Sequence, residues 1–195
     1  MSDVRGYLDD WLDAVVATPG LTSLDLDEAR RVLLDDSLRA IEVVREFEGP
    51  IVDVGSGGGA PGIPLAVALP DREVTLLEAE RRKCEFLERW APPNARVVWG
   101  RAEEQETDVY GVAVAKALAQ PPVAAEWCLP LVRPGGAAIL FAGPSADIQA
   151  LARVSELLGG GPPQERDGLL VLPKLGPTPP RFPRRPGVAK KRPLA

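Results

Sequence analysis

Histidine is absent from this chain of 195 residues, and cysteine, methionine and aromatic residues are scarce. A chain without histidine suits a reaction that needs no general base. No apolar run is long enough to span a bilayer, and the first residues are acidic rather than basic, so we expect neither a membrane helix nor a signal peptide and place the protein in the cytoplasm. The two cysteines, Cys84 and Cys128, lie in helical patterns of apolar spacing, which predicts buried free thiols.

The length favours one domain, because 195 residues bury a full core and are near the ordinary size of a single α/β unit. Strand-like and helix-like segments alternate along the chain, which predicts an α/β fold with a mostly parallel sheet and helices on both faces. We expect a short N-terminal helical extension over residues 1–48, a cofactor-binding core over 49–173 and a basic, proline-rich segment over 174–195. We also expect a monomer.

The apolar pattern sets the expected order of the elements. It predicts a helix from Val4 to Val16 and a helical stretch over 27–47. Asp167 and Gly168 predict a turn that joins a final antiparallel pair of strands. The other predicted strands end, in chain order, at Val54, Glu78, Trp99, Ala115 and Ala142. The last of them is expected to begin at Ala137, after a turn at residues 134–136.

The most informative segment is a glycine-rich loop after a short apolar run. Ile51 to Val54 is followed by five glycines and two prolines within residues 55–64. Glycine is needed where a turn demands positive φ and where a ligand lies directly on the main chain. Pro61 or Pro64 can begin the next helix, whose first amides have no partner within the helix. The segment therefore predicts a strand, a loop that holds a nucleoside cofactor, and a helix.

Two cofactors fit this loop by spacing alone. Gly57, Gly59 and Gly62 satisfy the dinucleotide-binding pattern G-x-G-x-x-G. Asp53 precedes the loop, and its carboxylate would repel a pyrophosphate, whereas S-adenosylmethionine carries an ammonium and a sulfonium. We therefore favour S-adenosylmethionine. Glu78 ends the next strand and is expected to accept hydrogen bonds from the ribose of either cofactor, although it could also only cap the following helix.

Charge is distributed unevenly along the chain. The net charge is −5, and no acidic residue follows Asp167, whereas seven basic residues lie between Lys174 and the C-terminus. The tail therefore carries +7 and the rest of the chain −12. Because phosphate neutralisation supplies most polyanion affinity, this pattern indicates a nucleic acid that approaches from one side. A solvated, flexible, proline-rich tail explains the same charges equally well.

Several ordered motifs give the sequence a resemblance to the RsmG (GidB) family over roughly residues 30–195. No single motif carries it; their order along the chain does. The motifs are Asp36-Ser37-Leu38, the loop 53–64, Leu76-Leu77-Glu78, Arg82-Lys83, Phe86-Leu87, residues 100–104, 116–119, 126–131 and 134–136, and the ending Phe182 to Gly187 with Lys191 to Leu194.

This resemblance implies a class I methyltransferase with a Rossmann-like fold. The implied reaction moves a methyl group from S-adenosylmethionine to N7 of a guanine in small-subunit (16S) ribosomal RNA, with the RNA or the small subunit as partner and no metal. No catalytic residue is assigned, because guanine N7 presents an unprotonated lone pair and alignment can suffice. Lys116 is a candidate for positioning the base or a phosphate, although it could equally be a strand-end lysine in solvent.

The expected site residues fall into two groups. Asp53 and Gly57 of the loop join the positions that the resemblance implies for the cofactor, which are Gly55, Ala60, Glu78, Ala102, Glu103 and Lys116. The expected RNA contacts are Arg181, Arg184, Arg185, Lys190, Lys191 and Arg192.

Other functions remain open at this stage. A methyltransferase of the same fold could act on a small molecule or a protein, in which case the basic tail would be incidental. A non-catalytic RNA-binding or ribosome-assembly protein could keep the loop for structural reasons, and a dehydrogenase is a more distant alternative.

Overall fold

A computed structural model describes residues 4–142 and 146–195. The strands are β1 Ile51–Val54, β2 Val74–Glu78, β3 Ala95–Trp99, β4 Tyr110–Lys116, β5 Val132–Phe141, β6 Gln164–Arg166 and β7 Leu169–Pro173. The α-helices are α1 Val4–Ala17, α2 Leu26–Ala29, α3 Asp36–Leu38, α4 Ile41–Arg45, α5 Gly62–Ala68, α6 Arg81–Trp90, α7 Pro121–Cys128, α8 Ile148–Leu157 and α9 Val188–Lys191. A π-helix spans Arg30–Asp35, and short 3₁₀ helices span Ala102–Glu104 and Leu129–Leu131.

The strands form one sheet of seven in the order β3-β2-β1-β4-β5-β7-β6. Strands β1 to β5 pair in parallel, and β7 and β6 add an antiparallel end. The mostly parallel α/β sheet is therefore confirmed. The turn at Asp167 and Gly168 is confirmed as well, with φ values of +50° and +71° between β6 and β7, as a tight hairpin of this kind requires.

Alternate residues of the central strands enter two separate hydrophobic clusters, one on each face of the sheet. Ile51 packs with α1, α4 and α5, whereas its neighbour Val52 packs with α7 and α8. A parallel sheet is buried on both faces in this way, which explains why β1 and β2 read as continuous buried runs. Cys84 and Cys128 are both buried and free, as expected.

The helical stretch predicted over 27–47 is confirmed, although it is not one regular α-helix. It comprises α2, the π-helix, α3 and α4, and the Ser37 hydroxyl donates a hydrogen bond to the Leu33 carbonyl oxygen at 2.5 Å, a contact that bends helices. One predicted strand is wrong in its start. The strand expected from Ala137 begins instead at Val132. The pairing of β4 with β5 shifts register between Tyr110 and Val112, so the predicted turn at 134–136 lies within β5.

The C-terminal segment is folded onto the body, so the alternative of a flexible tail is wrong. Phe182 and Ala189 are buried, and Lys174 is 1% exposed. The Lys174 ammonium donates hydrogen bonds to the Leu129 carbonyl oxygen and the Thr178 hydroxyl, both at 2.7 Å. Burial lowers the pKa of Lys174, against the opposing effect of Asp108. This lysine belongs to the interior and not to a free basic tail.

The carboxyl ends of the parallel strands meet at one edge of the sheet. Val54, Glu78, Trp99 and Lys116 end β1 to β4 at this edge, and the chain reverses its direction of strand addition between β1 and β4. Ligands of open α/β sheets bind at such a switch point. Among the described residues, no helix combines the length and apolar character needed to cross a bilayer.

Candidate functional site

A cleft of about 620 Å³ opens at the carboxyl edge of the sheet, at the switch point. This volume lies within the range of small-molecule sites. The cleft is lined by the glycine loop, by the N-terminal helical segment and by residues at or after the ends of β2, β3 and β4, together with Trp127 and Phe141. All the predicted cofactor residues except Asp53 line it, namely Gly55, Gly57, Ala60, Glu78, Ala102, Glu103 and Lys116.

The glycine loop has no room for larger residues at two positions. Gly55 has a φ of +72°, and a Cβ there would lie 2.3 Å from Cδ1 of Leu118. A Cβ at Gly62 would lie 2.3 Å from Cδ2 of Leu76 and 2.6 Å from Oδ2 of Asp53. Glycine is therefore required both by the backbone conformation at Gly55 and by the close approach of α5 to the sheet at Gly62.

Glu78 presents a fixed carboxylate to the cleft. It is 6% exposed, its Oε2 accepts a hydrogen bond from the Gly57 amide at 2.8 Å, and its Oε1 accepts one from the Glu80 amide at 2.9 Å. Each carboxylate oxygen keeps a further lone pair, so the group can still accept hydrogen bonds from a pair of ligand hydroxyls. The bond to Glu80 shows that Glu78 also supports the start of α6, so the two interpretations of this residue are compatible.

Asp53 lies behind the loop and does not line the cleft. Its Oδ2 accepts a hydrogen bond from the Gly62 amide at 3.0 Å, whereas Oδ1 is buried and accepts none from the described residues. Burial raises the pKa of this carboxyl group to about 7, with the Gly62 amide opposing the shift. In the structure the hydrogen bond between Gly62 and Asp53 holds the loop against β1. A direct contact of Asp53 with a cofactor stays a prediction.

The N-terminal helical segment forms a side of the cleft that the sequence did not reveal. The Trp11 indole N–H donates a hydrogen bond to the Gly58 carbonyl oxygen at 2.9 Å, so α1 is attached directly to the glycine loop. Val15, Leu21 and Leu33 line the cleft from this side. The hydrogen bond joins residues 47 positions apart, and no local pattern could have predicted it.

Lys116 is held inside the cleft, so its interpretation as a strand-end lysine in solvent is wrong. Its ammonium forms an ion pair with Asp36 and lies 4.9 Å from the centre of the Phe141 ring. The Lys116 side chain is 11% exposed. Asp36 also pairs with Arg39 at 2.5 Å. The ion pair of Asp36, the first residue of the motif Asp36-Ser37-Leu38, thus holds the N-terminal helical segment against the end of β4.

The loop after β3 connects the cleft to the C-terminal segment. Ala102 and Glu103 lie in a 3₁₀ helix, and Oε1 of Glu103 accepts a hydrogen bond from the Gly187 amide at 3.0 Å. Trp127 lines the same cleft, and its buried indole nitrogen has no partner among the described residues. Sequence reasoning did not select Trp127 or Leu118. Both follow from the packing of α7 and the β4–α7 connection.

The predicted RNA contacts divide into two kinds. Both oxygens of Glu126 accept hydrogen bonds from the Arg184 guanidinium, and this contact raises the pKa of Arg184. The Glu126 side chain is 3% exposed and that of Arg184 22%. Arg184 is therefore engaged within the protein in this structure. The exposed members of the set are Arg181, Arg185, Lys190, Lys191 and Arg192.

Known proteins resemble this chain over most of its length. The family model of rRNA small subunit methyltransferase G matches residues 14–158. A ribosomal RNA small subunit methyltransferase G of Synechococcus sp. (strain JA-2-3B'a(2-13)) is 40% identical over 186 residues, covering 82% of this chain and 72% of the relative. That of Moorella thermoacetica is 36% identical over 186 residues, covering 85% and 78%.

Solved structures share the fold. The T. thermophilus 16S rRNA N2 methyltransferase RsmC, in complex with AdoMet and guanosine, superimposes with a TM-score of 0.56 at 18% identity, covering 75% of this chain and 40% of that one. This likeness shows that the sheet and its helices form a class I methyltransferase fold. The match of the family model and the identity to curated relatives go further: the chain belongs to the rRNA small subunit methyltransferase G (GidB) family.

Proposed function

We propose that this protein transfers a methyl group from S-adenosylmethionine to N7 of a guanine in 16S ribosomal RNA, in the cytoplasm, as a single-domain monomer. The observation that carries the proposal is the cleft at the switch point, where a glycine loop and the Glu78 carboxylate meet in a chain of this family. The relatives' name supports the RNA as substrate, and the resemblance of the sequence motifs supports N7 as the acceptor.

The residues of the cleft fit the cofactor. Gly55 and Gly57 leave the main chain open to a ligand, and Glu78 has free lone pairs for the ribose hydroxyls. Ala102 and Glu103 would lie on the adenosine side of the ligand, where the Trp127 indole N–H, which has no partner among the described residues, is a further donor. The Glu78 carboxylate, which two backbone amides hold at the glycine loop, suits a ligand with an ammonium and a sulfonium better than one with a pyrophosphate. When bound, S-adenosylmethionine supplies an electrophilic methyl group.

The protein's own contribution is alignment and exclusion of water. Guanine N7 needs no proton removed, which agrees with a chain that contains no histidine. The N-terminal helical segment covers one side of the cleft, and the ion pair of Lys116 with Asp36 holds that segment against β4. Holding two reactants in line supplies a large part of the rate enhancement of such a transfer. Lys116 also brings a positive charge to the place where the base or its phosphate enters.

The exposed cations of the C-terminal segment provide a surface for the RNA backbone. Arg181, Arg185, Lys190, Lys191 and Arg192 are all exposed, and the contact between Gly187 and Glu103 holds this segment next to the cleft. Phosphate neutralisation at these residues would bring the RNA to the methyl donor with an affinity that falls as salt rises.

Methyl transfer to purified substrate tests the proposal. Ribosomal RNA and small subunits from a strain that lacks this gene are incubated separately with the protein and labelled S-adenosylmethionine, and the nucleosides are separated by mass spectrometry. We expect N7-methylguanosine in at least one of the two substrates. Incorporation into neither, by a protein that binds the cofactor in calorimetry, would contradict the RNA substrate and favour a same-fold enzyme for a small molecule or a protein. Failure to bind the cofactor would favour a non-catalytic RNA-binding protein.

A further inference from the structure

The structure describes every aromatic residue of this chain, and Trp99 is the only one of them that is exposed. It is 63% exposed, yet it is not free to move. Its indole N–H donates a hydrogen bond to the Ala79 carbonyl oxygen at 3.0 Å, which fixes the ring on the surface. A large apolar ring that is both exposed and fixed costs stability in isolation, and a ligand that stacks on it loses little conformational entropy of the protein.

The ring lies next to the cleft in which the methyl donor is proposed to bind. Trp99 ends β3 and lies opposite Glu78 in the parallel pairing of β2 with β3. The next two residues, Gly100 and Arg101, line the cleft itself. Adjacent strands lie about 4.8 Å apart, so Trp99 stands at the rim of the cleft, one strand away from the carboxylate expected to hold the cofactor ribose.

The surroundings of the ring are charged rather than apolar. The Arg81 guanidinium lies 5.5 Å from the centre of the Trp99 ring and is itself exposed, and Arg101 is exposed on the other side of Gly100. Among the described residues, no other large apolar side chain of α6, β3 or the 3₁₀ helix 102–104 is exposed. A protein partner would find no further exposed apolar side chain on these elements, whereas a flat base with its phosphate matches an exposed ring that has a guanidinium group 5.5 Å from its centre.

We propose that Trp99 stacks an unpaired nucleobase of the RNA substrate at the rim of the cleft, with Arg81 and Arg101 next to its phosphates. This inference rests on the proposed function, since it names a contact of the same RNA. The base must be unpaired, because the faces of bases within a duplex are covered by their neighbours. Stacking on an aromatic ring is tolerant of sequence, so this surface holds the RNA strand beside the target guanine and does not select the guanine.

Two variants and one matched control test the stacking. Trp99→Leu keeps an apolar side chain and removes the ring, and Trp99→Phe keeps a smaller ring without the indole N–H. Leu175→Ala is the control, because Leu175 is 69% exposed and follows β7, which is separated from β3 by four strands of the sheet. Each protein is assayed for the KM of the RNA, the kcat and the cofactor Kd. A single-stranded oligoadenylate of about twelve nucleotides is then titrated while the emission of the exposed tryptophan is followed.

We expect Trp99→Leu to raise the KM for RNA at least about fivefold, with kcat and cofactor Kd unchanged, and Trp99→Phe to lie between Trp99→Leu and the natural protein. The oligoadenylate should quench red-edge tryptophan emission in the natural protein and the Leu175→Ala control but not in Trp99→Leu. An unchanged KM in Trp99→Leu, or quenching that persists without Trp99, overturns the proposal. So does a change of oligomeric state in Trp99→Leu, which would assign the ring to a contact between two copies.

Failure of the stacking and failure of the proposed function give different results. If the natural protein methylates ribosomal RNA and Trp99→Leu does so with the same KM, the stacking is refuted and the function stands. If the natural protein transfers no methyl group to ribosomal RNA while the oligoadenylate still quenches Trp99, the function is refuted and the stacking surface stands.

Discussion

Replacing Arg184 with methionine should destabilise the protein by about 3 kcal/mol. The Glu126 carboxylate is 3% exposed, and both of its oxygens accept hydrogen bonds from Arg184. Removing one partner of a buried ion pair leaves an uncompensated charge and costs roughly 3 to 5 kcal/mol. We take the lower end because Arg184 is 22% exposed, so that water can enter when the guanidinium is gone. Methionine keeps most of the side-chain volume, so that the charge is the main change.

Urea unfolding provides the measurement, since the free energy of unfolding can be compared at constant m value. A second substitution tests the cause: Glu126→Leu in the Arg184→Met background removes the orphaned carboxylate and should bring the stability back to within about 1 kcal/mol of the natural protein. Arg185→Met is the matched control, because Arg185 is the next residue and is exposed, and it should change the stability by less than about 0.5 kcal/mol.

The same variants have a functional consequence through Gly187, whose amide bonds Glu103 at the cleft. Loss of the contact between Arg184 and Glu126, which holds the C-terminal segment, should raise the Kd of the cofactor about fivefold, the equivalent of one ordinary hydrogen bond. The double variant Arg184→Met with Glu126→Leu should return this Kd to that of the natural protein. The reasoning would be refuted if Arg184→Met were as stable as Arg185→Met, or if the double variant were no more stable than Arg184→Met alone.

Three further substitutions test the cleft. Gly62→Ala should cost roughly 1 to 3 kcal/mol of overpacking in urea unfolding and weaken cofactor binding in calorimetry, because the new Cβ would lie 2.3 Å from a leucine methyl group. Asp53→Asn should gain stability relative to the natural protein as pH rises. A carboxyl group whose pKa is raised from 3.8 to about 7 contributes stability that is fully present below pH 3.8 and is lost as pH rises to 7, so the relative gain between about pH 5 and pH 8 is roughly 2 to 3 kcal/mol. A stability difference that does not vary with pH would contradict this reasoning. Lys116→Ala should raise the cofactor Kd and speed amide exchange in α1 to α4, since it removes the ion pair that joins Asp36 to β4. Lys116→Arg should leave the cofactor Kd and the exchange rates unchanged. Unchanged methyl transfer and cofactor affinity in Lys116→Ala would show that Lys116 is not part of the site.

The parts of the site that are local in sequence could be predicted. A strand, five glycines and a helix within residues 51–69 define their own geometry, because positive φ and close packing leave few alternatives to glycine. Glu78 was predictable for the same reason, as it ends a strand beside that loop. Asp53 shows the limit of this reasoning. Its position before the loop was clear, but whether its carboxylate faces the ligand or the Gly62 amide depends on packing that no spacing records.

The parts of the site that depend on distant contacts could not be predicted. Trp11 donates a hydrogen bond to Gly58, and Asp36 forms an ion pair with Lys116, and both contacts join residues far apart in sequence. The sequence therefore predicted two amphipathic helical stretches at the N-terminus but not their place at the cleft. The change from α-helical to π-helical hydrogen bonding over residues 30–35 could not be predicted either, because the apolar spacing indicates only that the segment is helical.

The charge of the C-terminal segment illustrates why a count of basic residues predicts less than their placement. Two of the seven, Lys174 and Arg184, form contacts with Leu129 and Glu126 inside the protein, and they fix the course of the backbone that carries the other five. A flexible segment with seven cations would have to lose its conformational freedom each time it bound RNA. A segment held by two internal cations has lost that freedom on folding, so under the proposed function its exposed cations would meet the RNA backbone already positioned beside the cleft. The two internal contacts would therefore reduce the number of charges available to the RNA and increase the contribution of each charge that remains.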